Sequence, residues 1–253
     1  MWLTTPDRIE HILVERQLEP VSEKALERSA RDWQRRGVKL APYEVVRNMP
    51  VVQIGQPYTQ TLQEFCAPAE LPHPFQAMLR EADFYVVSFS CSFRPIGGQR
   101  EQSRVEWARF CATLLPHPST GTPPIAFDVY PQQVIEEVKR QTKVTINPLL
   151  KFQELEVSPG SAEFGIEYNE QIPRISGTRG TGFNPSWDYW EVPGHKVYGD
   201  RWMRLLVKAP KGMTNAQARL DLGADVLVGG TRLRVTAWRR QEQADQCTVS
   251  LWG

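Results

Sequence analysis

This chain of 253 residues contains few cysteines and few histidines, and its net charge is close to zero. The four cysteines, Cys66, Cys91, Cys111 and Cys247, are far apart and form no CxxC pair, which argues against a structural zinc site. The formal net charge of +1 provides no overall field that would attract nucleic acid or an anionic membrane. We therefore expect no metal and no cofactor, and we expect neither nucleic acid nor a membrane as a partner.

Long apolar runs are also missing. No segment reaches the roughly 18 apolar residues that a membrane-spanning helix needs, and the first residues lack the basic start and apolar run of a secretory signal peptide. Hydrophobic residues make up 41% of the chain and charged residues 23%, as in ordinary globular proteins. We expect a cytoplasmic location with reduced thiols.

Residues 1–80 are predicted to form an N-terminal helical region. A first helix would start at Thr5-Pro6, and a second would run from an N-cap at Ser22 to a helix-ending glycine at Gly37. The valines at 45–46 and the apolar residues at 51–54 predict two short strands. A further short helix is predicted from Phe75 to Arg80.

Residues 83–253 are predicted to form a β-rich domain. Period-two alternation predicts strands at 85–93 and at 162–168, and the second strand is predicted to form a hairpin with residues from 144 onward. Short helices are predicted near 134–138 and from Thr214 to Leu222. The predicted fold class is α+β: a helical N-terminal third followed by a mainly antiparallel β region, arranged as a sandwich or a curled sheet.

Residues 104–115 fit two structures. Trp107, Phe110 and Leu114 lie at helical spacing, and Ser103 with Glu106 would form a capping box, so the periodicity favours a helix. Phe110, Ala112 and Leu114 also alternate with their neighbours, which fits a bulged strand that forms a hairpin with residues 84–94.

The densest aromatic cluster lies between Phe183 and Trp202. Trp187, Tyr189 and Trp190 within it could form an exposed platform that binds a partner, or could be part of the core, because large aromatic side chains bury much apolar area.

The same stretch contains candidates for acid–base chemistry. His195 lies near Asp188 and Asp200 in the sequence, and an imidazole oriented by a carboxylate is half of a general-base arrangement. The structural alternative is a loop histidine with a satisfied hydrogen bond.

A second binding surface is predicted near the C-terminus. Arg232, Arg234, Trp238 and Arg240 alternate with apolar residues along a predicted strand, and arginine beside tryptophan can bind an acidic partner. The alternative is a solvated sheet face, on which arginine stems cover apolar surface.

Three functions follow from these patterns. We favour a non-enzymatic protein-interaction, scaffold or subunit protein, whose aromatic-rich β surface contacts another protein or a second copy of itself. The alternative is a hydrolase or transferase that uses His195 with an aspartate. The third hypothesis is a membrane-inserting β protein that uses the amphipathic hairpin at 144–168, since alternating strands can insert into a bilayer.

Overall fold

The fold consists mainly of antiparallel strands in two sheets. The computed structural model describes residues 11–65, 73–94, 103–116, 121–145, 163–238 and 248–253. The strands in these ranges are β1 (Ile12–Gln17), β2 (Glu19–Pro20), β3 (Val51–Gly55), β4 (Tyr58–Thr61), β5 (Ala82–Arg94), β6 (Ser103–Leu114), β7 (Ile125–Tyr130), β8 (Gln133–Thr145), β9 (Glu163–Thr178), β10 (Ser186–Trp190), β11 (Gly199–Pro210), β12 (Ala216–Val228), β13 (Thr231–Thr236) and β14 (Thr248–Trp252).

Helices are few and short. They are α1 (Glu23–Arg35), α2 (Pro42–Arg47), α3 (Leu62–Phe65) and α4 (His73–Met78). Among the described residues, none of these helices is long and apolar enough to cross a membrane.

The strands pair into a smaller and a larger sheet. The smaller sheet has the order β1-β3-β5-β11-β7, with β4 also paired to β5. The larger sheet has the order β2-β13-β12-β6-β10-β9-β8, with β14 paired to β12. Strand β8 therefore lies at one edge of the larger sheet.

Aromatic side chains fill the space between the two sheets. Phe89 of the smaller sheet lies 5.7 Å from Phe110 and 6.2 Å from Trp187 of the larger sheet, measured between ring centroids. Farther along, Phe93 and Tyr189 are 6.4 Å apart. Each of these rings is buried, and burying such a side chain contributes about 1.5–3 kcal/mol. The two sheets thus pack face to face as a sandwich.

Helix α1 forms where the sequence predicts it. The Ser22 hydroxyl accepts a hydrogen bond from the backbone N–H of Ala25 at 3.2 Å, and Gly37 has φ +71° just after the helix. Trp33 is fully buried, and its Nε1 donates to the carbonyl oxygen of Val228 at 2.9 Å. This contact fastens the helix to the end of β12.

The prediction of a helical N-terminal third is wrong. Strands β1, β3 and β4 lie between the helices of this region, and β3 and β4 pair with β5, so the region is part of the smaller sheet and not a separate helical unit. Ile12 and Leu13 belong to β1, because pairing with β3 outweighs a short helical pattern. The helix predicted to start at Thr5 begins outside the described residues. The division at residues 80–83 into two regions stays a prediction.

Several local predictions also need correction. Residues 45–46 lie in α2, which begins with proline at its first position, Pro42. Residues 104–114 form the strand β6, which pairs with β10 and β12 rather than with residues 84–94. The helices predicted near 134–138 and from 214 to 222 are parts of β8 and β12. Strands β6 and β12 have a paired strand on each side and β8 has one, β9, and these partners satisfy backbone groups in a way that local periodicity does not show.

Candidate functional site

A bulge in β6 gathers polar and aromatic residues on the outer face of the larger sheet. Trp107 is paired with Asp225 of β12 and Val105 with Val226, which leaves Glu106 as an extra residue. A bulge of this kind puts two successive residues on the same face of a strand. Glu106 and Trp107 are accordingly both partly exposed, while their neighbour Val105 is buried.

Trp107 is held between two arginines. The Cζ atom of Arg234 lies 4.7 Å from the ring centroid of Trp107, and that of Arg109 lies 5.4 Å away. A guanidinium over an indole ring is attracted by the ring's negative face. Each arginine is also paired with a buried carboxylate, Arg109 with Asp188 through two contacts of 2.8 Å and Arg234 with Asp225.

A tight turn closes one side of this surface. The backbone N–H groups of Val192 and His195 each donate to the other residue's carbonyl oxygen, at 3.1 and 2.9 Å. Pro193 and Gly194 occupy the two central positions, and Gly194 has φ +84°. Proline followed by glycine is the preferred sequence for such a turn. The turn brings His195 and the exposed Lys196 to the edge of the sheet.

Together these elements form an open cleft of about 740 Å³. We call it the outer cleft; it is lined by Arg104, Glu106, Trp107, Trp190, Glu191, Val192, Pro193, Gly194, His195, Lys196, Asp225, Arg232 and Arg234. The predicted binding residues Trp190, Arg232 and Arg234 and the predicted catalytic candidate His195 therefore meet in one place.

Ion pairs hold the arginines of the outer cleft in position. Arg232 Nε donates to Glu106 Oε2 at 2.8 Å, and Arg104 Nε lies 2.8 Å from Glu191 Oε2. Burial raises the pKa of the Glu191 carboxyl, an effect that the nearby cations of Arg104 and Lys196 oppose. The hydrogen bond from Arg232 to Glu106 raises the pKa of that guanidinium.

The other predicted site residues lie elsewhere. Trp187 and Tyr189 are buried between the sheets, so the prediction that they form an exposed platform needs correction. They lie on the opposite face of β10 from Asp188 and Trp190, and that face packs against the smaller sheet. Trp238 lies beyond the end of β13 and is also buried. Arg240 lies outside the described residues.

The predicted acid–base pair is dispersed. Both carboxylate oxygens of Asp188 accept hydrogen bonds from Arg109, so this carboxylate is committed to an ion pair. Asp200 lies in β11 of the smaller sheet, whereas His195 lies at the outer cleft. The hydrolase or transferase hypothesis stays a prediction.

Sequence reasoning missed Arg104, Glu106, Trp107 and Asp225 of the outer cleft. Residues 104–115 fit both a helix and a strand, and the helical periodicity is favoured there. The period-two alternation of Trp107, Arg109 and Cys111 is the signal that indicates an outward strand face.

The second candidate site is a long two-stranded ribbon. After an irregularity at Val134 and Ile135, β8 and β9 pair continuously from Ile135–Pro173 to Thr145–Glu163. We call these two segments, residues 135–145 and 163–173, the ribbon. Strand β9 pairs with β10 only from Ile175 to Thr178, so the ribbon pairs with no other strand in the part of the chain that the structure describes. The predicted hairpin is confirmed where Val144 and Thr145 pair with Phe164 and Glu163. Residues 146–162 lie outside the described part of the chain, and the pairing extends beyond the prediction, back to residue 135.

The register assigns the ribbon's residues to two unlike faces. One face contains positions 135, 137, 139, 141, 143 and 145 with 163, 165, 167, 169, 171 and 173, and apart from Gly165 and from Ile135 and Pro173 at the end nearer the sandwich these residues are all polar or charged. The other face contains Val138, Val144, Phe164, Ile166, Tyr168 and Ile172 together with Glu136, Arg140, Thr142 and Glu170. The three charged residues of this face lie in the half of the ribbon nearer the sandwich or at the middle of the ribbon. The half farther from the sandwich is therefore the more apolar part of this face.

Comparisons with known proteins give limited information. No protein-family model and no curated protein sequence matches the chain. Among solved structures, it is similar to the membrane-inserted form of the Clostridium perfringens NetB toxin, with a TM-score of 0.31 and 8% identity over 94% of both chains. It is also similar to the Clostridium perfringens delta-toxin, with a TM-score of 0.32 and 8% identity over 79% of this chain and 88% of that one. A structure described as a pore forming protein gives a TM-score of 0.30 and 10% identity over 79% and 90%. Likenesses this distant assign no function to the chain.

Proposed function

We propose that this protein inserts the ribbon into a membrane, and that several copies do so together. The observation that carries the proposal is the ribbon itself: a long hairpin that pairs with no other described strand and has one polar and one largely apolar face. A two-stranded hairpin alone is at best marginally stable in water. A ribbon of this kind therefore gains stability when it finds a further partner.

The length of the ribbon suits a bilayer. Eleven successive residue pairs, from Ile135–Pro173 to Thr145–Glu163, extend about 37 Å at the usual rise of a strand. A tilted strand needs about 9–11 residues to cross the hydrocarbon core. The segment that joins the two strands contains Leu149, Leu150 and Phe152, which are suited to entering the membrane first.

The need for several copies follows from backbone hydrogen bonding. Each strand of the ribbon has one edge paired within the hairpin and one edge that would face lipid. Unsatisfied backbone groups in the bilayer each cost several kcal/mol, so a spanning sheet must close on itself. Neighbouring copies would pair these edges and turn the polar face toward a central aqueous space. Self-association is one of the two kinds of partner expected from the sequence.

This proposal departs from the expectation that a membrane is no partner. That expectation rests on the net charge of +1 and on the missing apolar runs. Strands that alternate polar and apolar residues need neither a high net charge nor a long apolar run to enter a membrane, because only every second residue contacts lipid. Glu136, Arg140 and Glu170 remain a cost on the apolar face, because an ionised side chain on the lipid side is unfavourable.

Release of an encapsulated dye from liposomes tests the proposal. The wild-type protein at micromolar concentration is expected to release a small dye. Ile166→Glu adds a charge to the apolar face and should abolish release, because an ionised side chain on the lipid side is costly. Asn169→Glu adds the same charge to the polar face and serves as the matched control. The proposal would be refuted if the wild-type protein released no dye, or if the two variants released equal amounts of dye.

A further inference from the structure

The outer cleft has the chemistry of a site for a polyhydroxylated anion. Its volume of about 740 Å³ falls within the usual range for small-molecule sites, about 300–1,000 Å³. Charged donors, Arg104, Lys196 and Arg232, share it with charged acceptors, Glu106 and Glu191. Hydroxyl groups both donate and accept, so a ligand rich in hydroxyls can use both sets.

The arginines are positioned before any ligand arrives. Arg232 uses Nε to bind Glu106, and within the described residues its Nη1 and Nη2 atoms have no acceptor. Arg104 donates from Nη2 to Glu106, and its Nε lies at ion-pair distance from Glu191, which leaves Nη1. A guanidinium held at one edge presents its remaining N–H groups in a fixed direction, which lowers the entropic cost of binding a carboxylate.

An aromatic wall completes the site. Trp190 lines the cleft and is partly exposed, while the Trp107 ring is engaged by Arg109 and Arg234. The flat apolar face of an indole suits a ligand that has one apolar face and a polar rim, as the ring of a sugar does.

The carboxylates distinguish between possible anions. Glu106, Glu191 and Asp225 all line the cleft. They would repel a bare phosphate, which carries more negative charge than a sugar acid and fewer hydroxyl hydrogens to donate. A sugar acid carries a single carboxylate for the guanidiniums and several hydroxyls that can donate to these acceptors.

We propose that the outer cleft binds an acidic sugar, with its carboxylate on Arg232 and Arg104 and its ring against Trp190. The site lies on residues that the ribbon does not contain, so this inference stands or falls separately from membrane insertion.

Calorimetric titration of the full chain tests this inference. The probes are methyl glucuronide and N-acetylneuraminic acid, with methyl glucoside as the uncharged counterpart and inorganic phosphate as the bare anion. We expect saturable binding of at least one sugar acid, and at least tenfold weaker binding of methyl glucoside and of phosphate. Arg232→Gln should raise the Kd of the bound sugar acid about tenfold or more, because it removes a charged donor pair.

Arg219→Gln is the matched control. Arg219 is exposed on β12, six residues from Asp225, or about 20 Å along the strand, and its removal should leave the Kd unchanged. Thermal unfolding of both variants checks that they are folded, which the exposure of Arg232 favours. No saturable binding of either sugar acid below about 10 mM, phosphate binding as tight as that of the sugar acid, or equal loss in both variants would overturn the inference.

Discussion

Excision of the ribbon separates its role from that of the sandwich. Residues 137–171 can be replaced by Asn-Gly, which forms a two-residue hairpin turn between Glu136 and Ile172. These two residues are already paired in the register of β8 and β9. The shortened protein would retain the base of the hairpin, where β9 pairs with β10.

The expected change in stability is small. The removed segments pair with each other and with no other described strand, and a two-stranded hairpin is only marginally stable by itself. We expect the free energy of unfolding to change by no more than about 1 kcal/mol, which is about 2–4 °C in Tm for a protein of this size. For comparison, Phe110→Ala between the sheets should cost about 3–5 kcal/mol, because that ring is fully buried.

Thermal unfolding and dye release are measured on the same preparations. The excised protein is expected to unfold near the wild-type Tm and to release no dye. Phe110→Ala is expected to give a different result in thermal unfolding: a large fall in Tm, although its ribbon is intact. A fall in Tm of more than about 10 °C on excision would show that the ribbon is part of the cooperative core. Undiminished dye release would refute the assignment of membrane insertion to the ribbon.

Three further substitutions test side-chain contacts that hold the sandwich together. Gly177→Ala should destabilise the protein by about 1–3 kcal/mol in urea denaturation, because the new Cβ would overlap the carbonyl oxygen of Pro131 and crowd the ring of Trp187; an unchanged midpoint would contradict this packing. Trp33→Phe should cost about 1–3 kcal/mol by the same measurement, because it removes the hydrogen bond to β12 inside the core, and a neutral result would mean that the carbonyl finds another donor. Asp83→Asn should cost about 1 kcal/mol at neutral pH. Burial would raise the pKa of Asp83, but hydrogen bonds from a lysine and a backbone N–H outweigh it and lower the pKa. The stabilisation is therefore present above the ordinary carboxyl pKa and is lost as pH falls through the lowered value, so the wild type and the variant should converge in acid, and a constant difference would contradict the assignment.

Local sequence patterns were sufficient for some elements. The cap at Ser22 and the glycine at Gly37 bound α1 correctly, because capping depends on neighbouring backbone groups. The alternation in residues 85–93 and 163–168 predicted β5 and β9, because a strand with unlike faces has a period of two.

Other elements depended on partners distant in the sequence. Residues 104–114 carry helical spacing and strand alternation at once, and the flanking strands β10 and β12 decide in favour of a strand. The burial of Trp187 and Tyr189 has the same origin. Alternation shows that the two share a face, but only the position of the smaller sheet shows that this face is the inner one.

The sequence by itself determined the strands β5 and β9, the helix α1 and the alternation of polar and apolar residues in the hairpin, since these follow from spacing and capping within a few residues. Tertiary structure alone decided the outer cleft, where Arg232 meets Glu106 across 126 positions, and the neighbouring ion pair, in which Arg109 meets Asp188 across 79. It also decided that β8 and β9 continue as the ribbon beyond the residues at which β9 pairs with β10. The physical reason is that sheet pairing and ion pairing are satisfied by whichever segments the fold brings alongside, and local periodicity carries no record of those partners.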